Sequence, residues 1–137
     1  MTVSLAALPK GHAFAETRFE LTREWVAAYV DAVEDETISL LVEQACPPLS
    51  LAALSIRALL DQAGLPDGAI HVSQELSLSH AAWVGDALVA RARIASRGER
   101  AGWVLMGVEL EVENQAGPAL MNGRATITFP ASAEGVL

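Results

Sequence analysis

Three histidines, one cysteine and a scatter of carboxylates and arginines are the side chains here that could do chemistry. His71 is the obvious proton acceptor among them. Glu75 falls on the same face of an alternating stretch and His80 closes it, so a base with an orienting carboxylate is one reading. Four residues along an extended chain span about 13 Å, too far for a direct hydrogen bond unless the strand bends. The spacing therefore favours a polar outer face or a subunit seam over a catalytic pair. His80, ahead of Ala81-Ala82-Trp83, reads as a loop residue, and His12 lies in an N-terminal arm. Cys46, between Ala45 and Pro47, lacks the neighbouring base or positive field that activates a thiol, and its nearest charge in sequence is Glu43. It reads as a small buried side chain. Arg57 and Asp61 stand i,i+4 as an ion pair on one helix. No spacing of His, Cys, Asp and Glu suits zinc or another metal, and no cofactor is called for.

The element that must position these groups is the run PPLSLAALSIRALLDQAG, Pro47 to Gly64. Prolines end whatever precedes it, Ser50 is placed to cap the helix, and Gly64 with Pro66 closes it. On a wheel, Leu49, Ala52, Ala53, Ile56, Leu59, Leu60 and Ala63 make a broad apolar arc opposite Ser50, Arg57 and Asp61, with Leu51 and Leu54 flanking the polar stripe. A helix so apolar must be wrapped by something. Everything after Pro66 alternates, so the wrapper is a sheet.

The chain of 137 residues, 52% hydrophobic, is expected to form a single domain over 1–137, ordered from about 12 to 130, with the arm before Lys10 loose. A formal charge of -8 argues against a nucleic-acid partner. No apolar run is long enough to span a bilayer and the N-terminus lacks a charged leader, so a cytoplasmic protein without a membrane role is expected. A lone cysteine excludes an internal disulfide.

In order, Phe14 to Leu21 alternates as a short strand, and Thr22 caps a helix whose face carries Trp25, Ala28, Tyr29, Ala32 and Val33. Thr37 to Gln44 reads as a further turn or two of helix. Ile70, Val72, Leu76 and Leu78 then oppose His71, Ser73, Glu75 and Ser77. Leu88 to Ile94, Val104 to Val112 and Met121 to Phe129 alternate likewise. Arg97-Gly98-Glu99-Arg100 and Asn114-Gln115-Ala116-Gly117 read as the turns, which sets Arg91 near Glu109 with Arg124 on its other side.

This layout resembles the hot-dog fold, an α+β arrangement in which an antiparallel sheet wraps one long helix. The run WVAAYVDAVED is similar to the first helix of MaoC-like hydratases and dehydratases. PPLSLAALSIRALL resembles the entry to their central helix, and IHVSQELSLSHAAWVGDALVARARI their second and third strands. VELEVENQAGPALMNGRATITF resembles their closing hairpin. The likeness runs over about residues 14 to 129, most like the N-terminal half of double-hot-dog members. It implies hydration or dehydration of an acyl thioester on coenzyme A or acyl carrier protein, by an Asp and a His in a pattern like D-x-N-P-x-H. Asp35 matches the Asp, but Ser39 or Leu40 stands where the His belongs. Beside that resemblance, Trp83 and Trp103 read either as walls of an acyl or pantetheine channel or as core or interface, and Gly85 with Asp86 as a turn starting a strand. Arg97, clustered with Arg91, Arg93 and Arg100, is a candidate for coenzyme A phosphates, a charge-paired sheet surface explaining Arg91 and Arg93 equally well.

The expectation is thus an acyl-thioester-binding domain of MaoC-like type without the standard Asp/His pair, homodimeric or paired with another hot-dog subunit. An active hydratase, dehydratase or thioesterase using a set such as Asp35 and His71 is the alternative. A structural or regulatory subunit is the third.

Overall fold

The computed structural model describes residues 3–34 and 45–133. In chain order the elements are β1 (Val3–Ser4), a 3-10 turn (Leu5–Ala7), β2 (Thr17–Glu20), α1 (Arg23–Ala32) and α2 (Pro48–Gln62). They continue with β3 (Ala63–Gly64), β4 (Ile70–Leu78), β5 (Ala87–Arg100), β6 (Trp103–Asn114), β7 (Ala119–Pro130) and a last 3-10 turn (Ala131–Ala133). A five-stranded antiparallel sheet, in the order β2-β5-β6-β7-β4, packs its inner face on α2. Val104, Met106, Val108, Leu110 and Val112 point inward, as do Met121, Ala125, Ile127 and Phe129, and all are buried. Their period-two spacing is what turns the sheet's inner face into the core. The hot-dog layout expected from the pattern is the one observed.

Helix α2 is rotated by about 100°, one residue's step, from the expected orientation. Its buried face is Ser50, Leu51, Ala52, Ser55, Ala58 and Leu59, whereas Leu49 is 60% exposed and Ala53 and Leu60 also face outward. Leu and Ala nearly all round the wheel left only the serines to mark a polar side, and they mislead. Ser50 donates to the Pro47 carbonyl at 2.5 Å and Ser55 to the Ala52 carbonyl at 2.9 Å. A hydroxyl satisfied by its own helix is free to be buried. Ser50 is therefore not the cap; Pro47 takes that place, and Pro48 opens the helix where no N–H donor is needed. At the other end the helix stops at Gln62, because Ala63 and Gly64 pair with the arm as β3.

The arm is not loose. Val3 and Ser4 pair in parallel with Ala63 and Gly64, and Leu5 and Ala6 are fully buried. Ala15 exchanges two hydrogen bonds of 2.9 Å with the Gln62 amide, and Gly11, His12 and Phe14 bond along the edge of β5. Thr22 caps α1 as expected, accepting from Trp25 N–H at 3.0 Å, but Val26 is the buried residue while Ala28, Ala32 and Val33 are exposed.

The β5–β6 turn also moves. Strand β5 runs on to Arg100, and the turn is Ala101-Gly102, both at positive φ (52° and 84°), as a tight two-residue hairpin requires. With an irregularity between Ile94 and Ser96, Arg93 rather than Arg91 lies opposite Glu109. The slip is two residues, so the side chains from Leu88 to Ile94 keep their faces. Arg124 lies opposite Glu109 on β7, as anticipated.

Candidate functional site

Two regions gather polar groups. The first is the outer face of the sheet, where an open cleft of about 800 Å3 runs between the arm at Glu16 and β4 at Glu75. Arg91 bonds Glu16 at 2.9 Å and Glu113 at 2.5 Å, and Arg93 bonds Glu109 at 2.6 Å. The hydrogen bond and charge of Arg91 hold the Glu16 carboxyl below its ordinary value, and Glu113 and Glu16 raise Arg91. Arg124 reaches over β6 to donate to Ser96 Oγ at 2.6 Å. Gly107 permits this, since a Cβ there would lie 2.6 Å from Ser96 Oγ and 2.7 Å from Arg124 Cζ. Side chains here are committed to one another, which suits a docking face better than a reaction centre.

The second region is the start of α2. A cavity of about 260 Å3 is walled by Cys46, Pro48, Leu51, Leu78, His80 and Ala82. Cys46 Sγ lies 2.7 Å from Ser50 Oγ, whose own proton goes to Pro47, so the thiol donates to the serine. Burial pushes the Cys46 thiol up, an effect its bond to Ser50 only partly offsets. It is a neutral packing group, not a nucleophile. His80 Nδ1 sits 3.0 Å from the Ala119 carbonyl, which can only accept, so Nδ1 carries the proton. The cavity is mainly apolar and lies at the positive end of the helix dipole.

Asp35 and the segment from Thr37 to Gln44 lie outside the described residues. His71 is exposed, its Nε2 3.1 Å from Gln74 Oε1. It does not share a face with Glu75. The register shifts between His71 and Ser73, so His71 lies opposite inward-pointing Ile127 while Glu75 lies opposite outward-pointing Arg124. The shared face expected of those two groups is undone by one bulged residue, Val72. Arg57 and Asp61 are both exposed. Asp86 Oδ2 accepts from Trp83 N–H at 2.9 Å and Gly85 takes φ 98°, so these residues form the turn into β5. Trp83 is half exposed beside the α2 cavity, its chain bridged to Ala45, and Trp103 stands at the far end of the sheet. Arg97 turns to the inner face, over the Phe129 ring at 5.8 Å, and donates to the Leu8 carbonyl at 3.1 Å. It is thereby separated from Arg91 and Arg93. Among the described residues no cluster of His, Cys, Asp and Glu could hold a metal, and no helix is long and apolar enough to cross a membrane. Sequence reading missed the cavity at α2, because the Ala81-Ala82 segment that closes it carries no periodic signal.

Known structures share this geometry. The R-hydratase PhaJ1 from Pseudomonas aeruginosa, unliganded, superposes with a TM-score of 0.74 at 22% identity, over 94% of this chain and 86% of that one. The (R)-hydratase from A. caviae involved in PHA biosynthesis gives 0.72 at 21% identity, over 90% and 98%. The HadBC 3R-hydroxyacyl-ACP dehydratase complex from Mycobacterium tuberculosis gives 0.72 at 19% identity, over 91% and 100%. No curated protein sequence matches the chain. A family model for the FAS1-like dehydratase domain region does match, over residues 9–122. With that match spanning most of a sheet closed round α2 in hot-dog order, the chain belongs to the FAS1-like dehydratase family, as a hot-dog domain of MaoC-like type.

Proposed function

We propose that this domain binds an acyl group held as a thioester on coenzyme A or acyl carrier protein, without turning it over, beside a second hot-dog subunit. One observation carries the reading. Where the family pattern needs a histidine after Asp35 there is none, and the chain's histidines are His12, His71 and His80. Hydration needs a group to take a proton from water and a partner to direct it, both within hydrogen-bond reach of the substrate. His71 is engaged with Gln74 and has lost Glu75 to the other face. The apolar cavity at the start of α2 suits a short acyl chain, with the helix N-terminus favouring the thioester carbonyl oxygen.

The pairing rests on β4. It ends the sheet order, and it exposes Ile70, Val72 and Leu78 by 54%, 55% and 44%. An apolar, unpaired edge is an association site unless something covers it. A second hot-dog subunit adding its own edge strand, as a homodimer or a heterodimer, would do so. HadBC, one of the similar structures, is itself a complex.

The test measures turnover and binding on one preparation. Crotonyl-coenzyme A should keep its enoyl absorbance, while calorimetry detects its binding. Turnover that disappears in His71→Ala would make the protein an enzyme with a displaced base. Absence of both turnover and binding, over a range of acyl lengths, would leave a structural subunit.

A further inference from the structure

The outer face of the sheet takes no part in acyl binding, yet its side chains stand in ordered rows. Strand register sets Arg93, Glu109, Arg124 and Glu75 side by side across four strands, positive at the Arg93 end and negative at the Glu75 end, with the Arg124 guanidinium carried over Gly107 to Ser96. Two rows away Gly98, Leu105, Thr128 and Ile70 line up, with Leu105 and Ile70 exposed by 55% and 54%. Between them lies a row of small side chains, Ser96, Gly107, Thr126 and Ser73.

From this pattern we infer that the outer face docks on the same face of a second copy of the chain, about a two-fold axis running parallel to the strands between β6 and β7. Such an axis reverses each row onto itself. A row positive at one end and negative at the other is complementary to its own reverse. Arg93 meets Glu75 of the second copy, a contact that occurs twice, while Glu109 lies over the backbone of β7. The apolar row meets its copy as well, Leu105 over Thr128 and Ile70 over Gly98. In the next row Arg91 faces Ser77 and Glu111 faces Asn122, so no like charges oppose. An axis on β6 would instead set Glu109 over its own copy, and one on β7 would set Glu109 over Glu75. Charge therefore selects a single register. Aligned sheets pack within about 30° of parallel, which this axis allows. The cleft leaves water over the middle of the charged row, with direct contact at its rims and along the apolar row.

This surface meets the β4 edge at Ile70 and Glu75 but lies on the face of the sheet rather than along its rim, so together they make a four-chain assembly from edge-paired dimers. Sedimentation of the full chain tests it. Wild type is expected to be twice the mass of Arg93→Glu and of Leu105→Asp, with self-association weakened by at least about tenfold in each. Neither residue lies on β4, so edge pairing survives. Glu75→Arg should also fail to assemble through this face. Mixed with Arg93→Glu it should restore the larger species, because positions 93 and 75 then meet with opposite sign in both of their contacts. Rescue by mixing cannot come from misfolded chains. Equal mass for wild type and Arg93→Glu at all concentrations would overturn the proposal, and so would a mixture that stays small.

Discussion

Leu51→Asp is expected to leave the domain unfolded at room temperature, whereas Leu49→Asp, two positions earlier, should shift stability by no more than about 0.5 kcal/mol. Leu51 is 2% exposed on the face of α2 that meets the sheet, and Leu49 is 60% exposed on the opposite side. A carboxylate at Leu51 would be cut off from water with no cation or donor provided for it. That costs several kcal/mol, against a total stability of about 5–15 kcal/mol for a typical domain. Leu51→Ala, which only empties space, should cost about 2–5 kcal/mol. Urea titrations of the three variants read this directly. Similar midpoints for Leu49→Asp and Leu51→Asp would mean that the helix presents a different face to the sheet.

Gly123→Ala should loosen β4 from the sheet at a cost of about 1–3 kcal/mol. A Cβ at Gly123 would run into the Glu75 carbonyl oxygen of the neighbouring strand and lie 3.0 Å from Leu76 Cδ2. The obstruction is backbone, which cannot swing aside as a long side chain can. Amide exchange is expected to quicken through Ile70–Leu78 while β5 and β6 keep their protection, and edge pairing should weaken with it. Gly117→Ala is the control, with nothing within 4 Å of the added methyl. Unchanged exchange along β4 would show that this close approach relaxes without cost.

What could be read from the chain beforehand follows from how many residues report the same thing. Along β6, alternate residues from Val104 to Val112 agree, and the strand, its buried face and its partner β7 were all legible. Features set by a single residue were not. One extra residue at Val72 reverses His71 relative to Glu75, and Val72 looks like any other strand residue. The Ala101-Gly102 turn was obscured by Arg97-Gly98-Glu99-Arg100, whose composition is as turn-like as its own. Helix α2 was evident as a helix, but Leu51, Leu54 and Leu60 lie on several sides of it, and only tertiary packing chooses among them. For the site, the missing histidine was plain because absence in a sequence is unambiguous. The proximity of Cys46, Ser50 and His80 at one cavity was not, since it depends on where the loop after β4 returns to the helix.

The Ala101-Gly102 turn also bears on the order in which the sheet assembles. A two-residue turn already twisted in the sense of its strands lets β5 and β6 meet at little cost in chain entropy, on a scale of about 1–10 µs for an isolated hairpin. By contrast β1 finds β3 only after the whole stretch from Val3 to Ala63 has closed. Contacts made before the transition state set the folding rate, and those made after it set how long the native state lasts. Ala101, held at φ 52°, sits where an L-residue costs about 1–2 kcal/mol. Ala101→Gly should therefore accelerate refolding and leave unfolding nearly unchanged, while Val3→Ala should do the reverse. Stopped-flow chevrons would separate the two, and a Val3→Ala variant that slows refolding would place the arm in the nucleus instead.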